Sequence, residues 1–291
     1  MKDETAPLTN PSATNEGYID AHQHFWKFDA VRDSWIDESM KVIQKDFLPG
    51  DLEPILNDNG FAGCIVVQSD QSEKENTFQI GNAEKYAVIK GVVGWVDLQA
   101  DNIEERLQFY SQFKKMKGFR HILQGEPQRD LMLQPAFMKG IGLFKKYNFT
   151  YDILVFPDQL KYIETFVRSF PEQFFVIDHI AKPAIKDRAI DEWKKDIVAV
   201  AKHDNVYCKI SGLVTEANWK GWKRADFTLY IDVIVQAFGI NRIMFGSDWP
   251  VCLVAATYKE TVSIVKEYFS AYYNEDLDKV FRSNAIRFYN L

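Results

Sequence analysis

At 291 residues with 46% apolar side chains, the chain can bury a large core, and its length suits one α/β barrel. A net charge of −6 with no basic cluster argues against nucleic acid or an anionic membrane as a partner, and no apolar run approaches the roughly 18 residues of a membrane span. Three cysteines, Cys64, Cys208 and Cys252, lack metal-type spacing and read as buried thiols suited to a reducing, cytoplasmic location.

Residues 1–17 are polar and rich in Thr, Asn and Pro, without the apolar middle of a signal peptide. They are expected to form a flexible arm ahead of a single domain over 18–291. A strand pattern at 18–20 runs into His22-Gln23-His24, and the segment 25–50, rich in Trp, Asp and Lys, reads as a long loop that could cover a barrel mouth. Further strand patterns fall at 62–68, 90–97, 118–121, 149–154, 174–178, 206–209 and 242–246. Between them lie helix-period segments with start and stop signals. Ser72-Glu73-Lys74-Glu75, Asp101-Asn102-Ile103-Glu104 and Thr257-Tyr258-Lys259-Glu260 read as capping boxes. Ile103, Leu107 and Tyr110 share one helical face, as do Leu160, Ile163, Val167 and Phe170 ahead of Pro171. Pro135 suits a first helical turn and Gly239 a helix stop. Eight strands alternating with helices predict a parallel sheet closed into a single (β/α)8 TIM barrel. An open doubly wound sheet would want a Gly-rich phosphate turn, and there is none.

In such a barrel, side chains just past the C-terminal end of each strand meet in one mouth. The strand ends offer His22 and His24; Gln68 and Asp70; Trp95 and Asp97; Arg120 and His121; Asp152; Asp178 and His179; Lys209 and Ser211; and Asp248. Four of the five histidines fall on these ends, which is the main sign of a catalytic mouth. Alternation puts His22 and His24 on one strand face, where two imidazoles could hold a metal or stabilise an anion. Each residue also has a bland role. The histidines could be satisfied by backbone groups, Asp248 could be a turn residue before Trp249-Pro250, and Arg120, Asp152 and Lys209 could be structural ion-pair partners. Arg120 and His121 are adjacent, so only one of them is expected to face the mouth. Trp26, Trp95 and Trp249 could be core or could wall a substrate pocket.

The combination resembles the amidohydrolase superfamily, on Asp20-Ala21-His22-Gln23-His24, Asp178-His179, Gly246-Ser247-Asp248-Trp249-Pro250 and the C-terminal Asn284-Ala285-Ile286-Arg287-Phe288-Tyr289. Within it, Asp46-Phe47-Leu48-Pro49, Gly118-Phe119-Arg120-His121, Gln124-Gly125-Glu126-Pro127 and Lys209-Ile210-Ser211-Gly212-Leu213 are most similar to the amidohydrolase-2 lactonase branch. The branch includes sugar-acid lactonases for L-fuconolactone and L-rhamnonolactone, and pyrone dicarboxylate lactonases. The resemblance implies a hydrolase that opens a small lactone, a sugar-acid lactone first. A pyrone-dicarboxylate-type lactonase, or another hydrolase or decarboxylase of the branch, is the alternative. Binuclear members of the superfamily carry a carboxylated Lys or a Glu on strand 4 and a His on strand 5. Arg120-His121 and Tyr151-Asp152 stand there instead, so at most one divalent ion, zinc, is expected on His22, His24, His179 and Asp248. Metal-independent action is the other option the branch offers. In either case Asp248 is expected to take a proton from water, the three histidines to polarise the carbonyl, and Arg120 to grip the substrate.

Overall fold

A computed structural model describes residues 17–291; the arm expected over 1–17 lies, Gly17 excepted, outside them. Eight strands pair in parallel in chain order: β1 (Tyr18–Gln23), β2 (Phe61–Val67), β3 (Ile89–Gly94), β4 (Met116–His121), β5 (Thr150–Ile153), β6 (Phe175–Ile177), β7 (Val206–Ile210) and β8 (Ile243–Phe245). A helix follows each strand: α1 (Pro49–Asp58), α2 (Glu73–Lys85), α3 (Ile103–Tyr110), α4 (Pro135–Gly142), α5 (Leu160–Arg168), α6 (Asp191–Ala201), α7 (Arg224–Phe238) and α8 (Tyr258–Tyr272). A last helix, α9 (Asn284–Tyr289), ends the chain, and the whole is a (β/α)8 barrel. The seam between β8 and β1 is closed just past the strand ends, where His24 N–H donates to the Trp249 carbonyl at 2.7 Å and Asp248 N–H to the His22 carbonyl at 2.8 Å.

The larger apolar core lies between the strands' outer faces and the helices, with Cys64, Val66, Phe119, Tyr151 and Phe175 packed against Leu56, Phe137 and Phe166. Inside the barrel, Ile19, Ala21, Ile65, Val67, Val93, Val176 and Met244 meet Ala285, Phe288 and Tyr289 of α9. Lys117 at the start of β4 donates to the Asn290 carbonyl, so α9 closes the end of the barrel away from the mouth.

β1 departs from simple alternation. Its pairing with β2 slips between Asp20 and Gln23, so Asp20 does not share a face with His22. Asp20 instead accepts from Tyr258 of α8 at 3.1 Å and from the Ser247 N–H at 2.9 Å, bracing the β8 turn from outside.

The capping signals divide. Thr257 and Glu260 form the reciprocal box. Ser72 Oγ accepts from Glu75 N–H, but the Glu75 carboxylate turns to Ser69 and Gln79. The box expected at Asp101 does not form: Asn102 stands at the cap of α3 and makes no side-chain cap bond. The strand runs at 90–97 and 174–178 proved long, because Trp95, Asp97 and Asp178 lie in the turns beyond β3 and β6. Among the described residues, no helix is long and apolar enough to cross a membrane.

Candidate active site

His22 and His24 present their Nε2 atoms to each other at 3.2 Å, inside the mouth. The ring orientations follow from the other nitrogens. His24 Nδ1 lies 2.8 Å from the Val67 carbonyl, which can only accept, so Nδ1 carries the proton. His22 Nδ1 lies 3.2 Å from both Asp178 Oδ1 and Lys209 Nζ, while Arg120 Nη1, which can only donate, stands 3.4 Å from its Nε2. His24 Nε2 then holds a lone pair that faces His22 Nε2. Asp248 Oδ1 joins them at 3.3 Å from His24 Nε2, 3.9 Å from His22 Nε2 and 3.8 Å from His179 Nε2. Burial depresses the pKa of His22 and of His179 well below 6.5, so both rings are neutral at neutral pH. Burial alone would raise Asp248, but the neighbouring His179 and His24 rings and the Lys182 ammonium lower it from 3.8 and keep it a carboxylate.

Beneath these rings lies a buried charge network from β4, β5, β7 and the turn after β6. Asp178 Oδ2 receives Arg120 Nη1 at 3.0 Å, and Asp178 Oδ1 lies 3.0 Å from Lys209 Nζ. Lys209, fully buried, also donates to Asp152, which accepts from Tyr289 of α9 at 2.9 Å. Two cations face two carboxylates, which is the condition for charges to survive in an interior. Burial would raise Asp178; Lys209, His22 and Arg120 hold it well down. Arg120 also donates to the Gln68 carbonyl and stands 3.4 Å from His22 Nε2. Its Nε is buried with no protein partner among the described residues.

The segment after β6 takes an uncommon path. His179, Ile180, Ala181 and Lys182 all have φ near +50°, a left-handed turn of non-glycine residues that costs about 1 kcal/mol or more at each. Ser211 Oγ accepts the His179 N–H at 3.2 Å and meets Nδ1 at 2.9 Å, while Trp193 Nε1 caps the Ile180 carbonyl at 2.7 Å. The turn swings the His179 ring toward His22, with centroids 4.4 Å apart, and carries Lys182 to the cavity wall. Gly212, at φ +65°, must be glycine, since a Cβ there would stand 2.8 Å from the His179 ring. Asp248 is itself at φ +58°.

A cavity of about 260 Å³ opens above these groups, lined by His24, Arg120, His179 and Asp248 with Trp35, Ser69, Ile122, Gln124, Leu154, Lys182 and Val251. A larger cleft of about 610 Å³, between 45–59 and 249–259, contains none of this chemistry. Of the adjacent pair on β4, Arg120 faces the cavity. The His121 ring turns away, with Nε2 on Glu126 at 2.6 Å and Nδ1 near Trp95 Nε1 at 3.4 Å. The three tryptophans considered as pocket walls lie off the cavity. Trp26 and Trp249 are buried against Phe47, and Trp95 spans toward His121. Trp35, in the 25–50 segment, lines it in their place. Sequence reasoning missed Trp35, Gln124 and Lys182 because all three lie in loops, several residues from a strand end. The remaining histidine, His203, pairs with Glu164 at 3.3 Å on the outer helices.

The donor set suits one divalent ion. Ligand atoms around a tetrahedral zinc, with bonds near 2.0–2.1 Å, stand roughly 3.3 Å apart. Two of the three separations among His22, His24 and Asp248, 3.2 and 3.3 Å, meet that spacing, and the third, His22 to Asp248, is wider at 3.9 Å. A second cluster, His22, Asp178 and His179, is less apt, since Asp178 is already committed to Arg120 and Lys209.

A family model described as "Amidohydrolase" matches residues 19–291. The chain is 38% identical to L-fucono-1,5-lactonase of Burkholderia multivorans over 260 residues, covering 86% of this chain and 88% of that one. It is 31% identical to the L-fucono-1,5-lactonase of Burkholderia ambifaria, over 94% and 95% of the two chains. The crystal structure of a Burkholderia multivorans amidohydrolase with bound zinc superimposes with a TM-score of 0.91 at 36% identity, covering 94% of this chain and 99% of that one.

Proposed function

The chain belongs to the amidohydrolase family, and on that footing we propose that it hydrolyses a sugar-acid lactone, with L-fucono-1,5-lactone as the first substrate to try. The observation that carries the reading is the approach of one buried carboxylate, Asp248, to three imidazole Nε2 atoms at 3.3–3.9 Å on the wall of a ring-sized cavity.

Opening a lactone needs a base for water, stabilisation of the tetrahedral oxyanion and a proton for the departing ring oxygen. Asp248, held as a carboxylate, takes the proton from water and returns it to the ring oxygen. His22, His24 and His179 orient the carbonyl and the water, with His22 fixed from behind by Asp178. Arg120 offers Nε–H and a fixed guanidinium to the developing oxyanion or to a substrate oxygen. A divalent ion, zinc in this reading, would be held by His22, His24 and Asp248, with His179 beside them. When bound, it supplies Lewis-acid polarisation and a lower pKa for water. The three buried free thiols suit a cytoplasmic enzyme.

A proton-release assay on L-fucono-1,5-lactone, L-rhamnono-lactone and a pyrone dicarboxylate tests the substrate class. Turnover of the sugar lactones supports the reading, and turnover of the pyrone alone sinks it. Metal analysis before and after chelation, with turnover measured on each sample, decides the ion: full activity in a metal-free sample removes zinc from the reaction.

A further inference from the structure

Two features of the cavity are not used by the hydrolytic step. The first is Trp35, 43% exposed, on a loop built as a rigid brace. Asp33 is buried there and accepts from the Asp29 N–H at 2.9 Å and from Arg32 Nε at 2.8 Å. The Ile36 N–H donates to the Asp33 carbonyl, and Gln44 Nε2 to the Ile36 carbonyl at 2.9 Å. The Trp26 ring stands edge-on to Trp35 at 5.9 Å and 86°, and is pinned in turn by Nε1 donating to the Lys45 carbonyl. Singly exposed apolar side chains are common. An indole braced from behind and turned to the cavity that holds Asp248 and the histidines is less so.

The second feature is Gln124. Its backbone is committed, with N–H on the Leu154 carbonyl at 3.0 Å and C=O receiving Arg129 at 3.0 Å. Its side-chain Oε1 is buried with no protein partner among the described residues, on the same cavity wall. A buried acceptor left unpaired is costly, so it calls for a donor from the ligand. A carboxylate carries no proton to give, whereas a hydroxyl both donates and accepts and so matches a primary amide.

We propose that Trp35 and Gln124 form a sugar-ring subsite that sets specificity. The Trp35 indole takes the apolar C–H face of a neutral, hydroxylated six-membered ring, and the Gln124 amide takes one of its hydroxyls. The inference rests on the lactonase reading and sharpens it toward uncharged hydroxylated rings.

The test has a kinetic arm and a binding arm. Trp35→Ala should raise KM for L-fucono-1,5-lactone about tenfold with kcat little changed, and Trp35→Phe should recover most of that loss. Gln124→Ala should lower kcat/KM for L-fucono-1,5-lactone about tenfold more than for δ-valerolactone, which has no hydroxyls. Unchanged KM in Trp35→Ala, or equal losses on both lactones in Gln124→Ala, overturns the subsite. In the binding arm, a 1,5-anhydrohexitol, which has the ring but no carbonyl, is titrated against tryptophan fluorescence. A saturable change in the parent protein that disappears in Trp35→Phe supports the subsite; no saturable change, or one that persists in Trp35→Phe, overturns it. If the parent protein opens no lactone, the hydrolytic reading fails and the binding arm alone decides the subsite. Circular dichroism of each variant separates loss of the subsite from loss of the fold.

Discussion

Asp178 Oδ1 stands 3.2 Å from His22 Nδ1, and its other oxygen holds Arg120 at 3.0 Å, so one buried carboxylate orients both an imidazole and a guanidinium of the mouth. Asp178→Asn would keep an acceptor for only one of them and would leave Lys209 and Arg120 short of negative charge. Turnover should fall by roughly a hundredfold or more, and zinc affinity by about tenfold or more, as for an outer partner of a ligating histidine. Steady-state kinetics and zinc titration read the two effects separately. A variant that keeps both properties would show that His22 needs no anchor.

The barrel was legible because parallel strands buried on both faces make apolar runs, and because each helix carries one apolar stripe. The histidines and Asp248 were legible because strand ends converge. Three features were less so. The slip in β1 between Asp20 and Gln23 depends on pairing with β2, which no local pattern reveals. The left-handed turn at His179 to Lys182 breaks residue preference, and only Ser211, Trp193 and neighbouring packing make it tolerable. The Asp152–Lys209–Asp178–Arg120 network joins three strands and the turn after β6, so each residue taken singly looks like an ordinary ion-pair partner.

Asp248 is held as a carboxylate, while burial keeps His22 and His179 neutral. If the ionised carboxylate and neutral rings are the active form, kcat/KM should stay level as pH falls through 6.5, where an ordinary histidine would protonate, and decline only at lower pH. Asp248→Asn should reduce turnover roughly a thousandfold with the fold retained by circular dichroism. An acid limb centred at or above 6.5, or an active Asn variant, would contradict the assignment of Asp248 as base.

Glu75 offers a pH test away from the chemistry. Burial raises its pKa above 4.5, against hydrogen bonds from Gln79 and Ser69. The folded state therefore binds this proton more tightly than the unfolded chain does. The resulting stability is complete below 4.5 and is lost as pH rises through the folded pKa. Gln at this position carries no charge to bury. The stability of Glu75→Gln relative to the parent should therefore increase between pH 4 and pH 8 in urea unfolding. Parallel curves across that range would mean that Glu75 titrates alike in both states.

Gly212 ties the backbone of the turn after β7 to the His179 ring. Its φ of +65° already disfavours any side chain, and an added Cβ would stand 2.8 Å from His179 Nδ1 and Cβ. The His179 ring has little room to yield, since Ser211 holds Nδ1 on one side and the tilted His22 ring lies 4.4 Å away on the other. Gly212→Ala should thus cost about 1–3 kcal/mol of stability and should also displace His179 from Asp248, lowering kcat more than the stability loss explains. Thermal unfolding and kinetics at a temperature where the variant is fully folded separate the two. If activity per folded molecule matches the parent, the ring has moved without consequence, and His179 does not need its 3.8 Å approach to Asp248 for turnover.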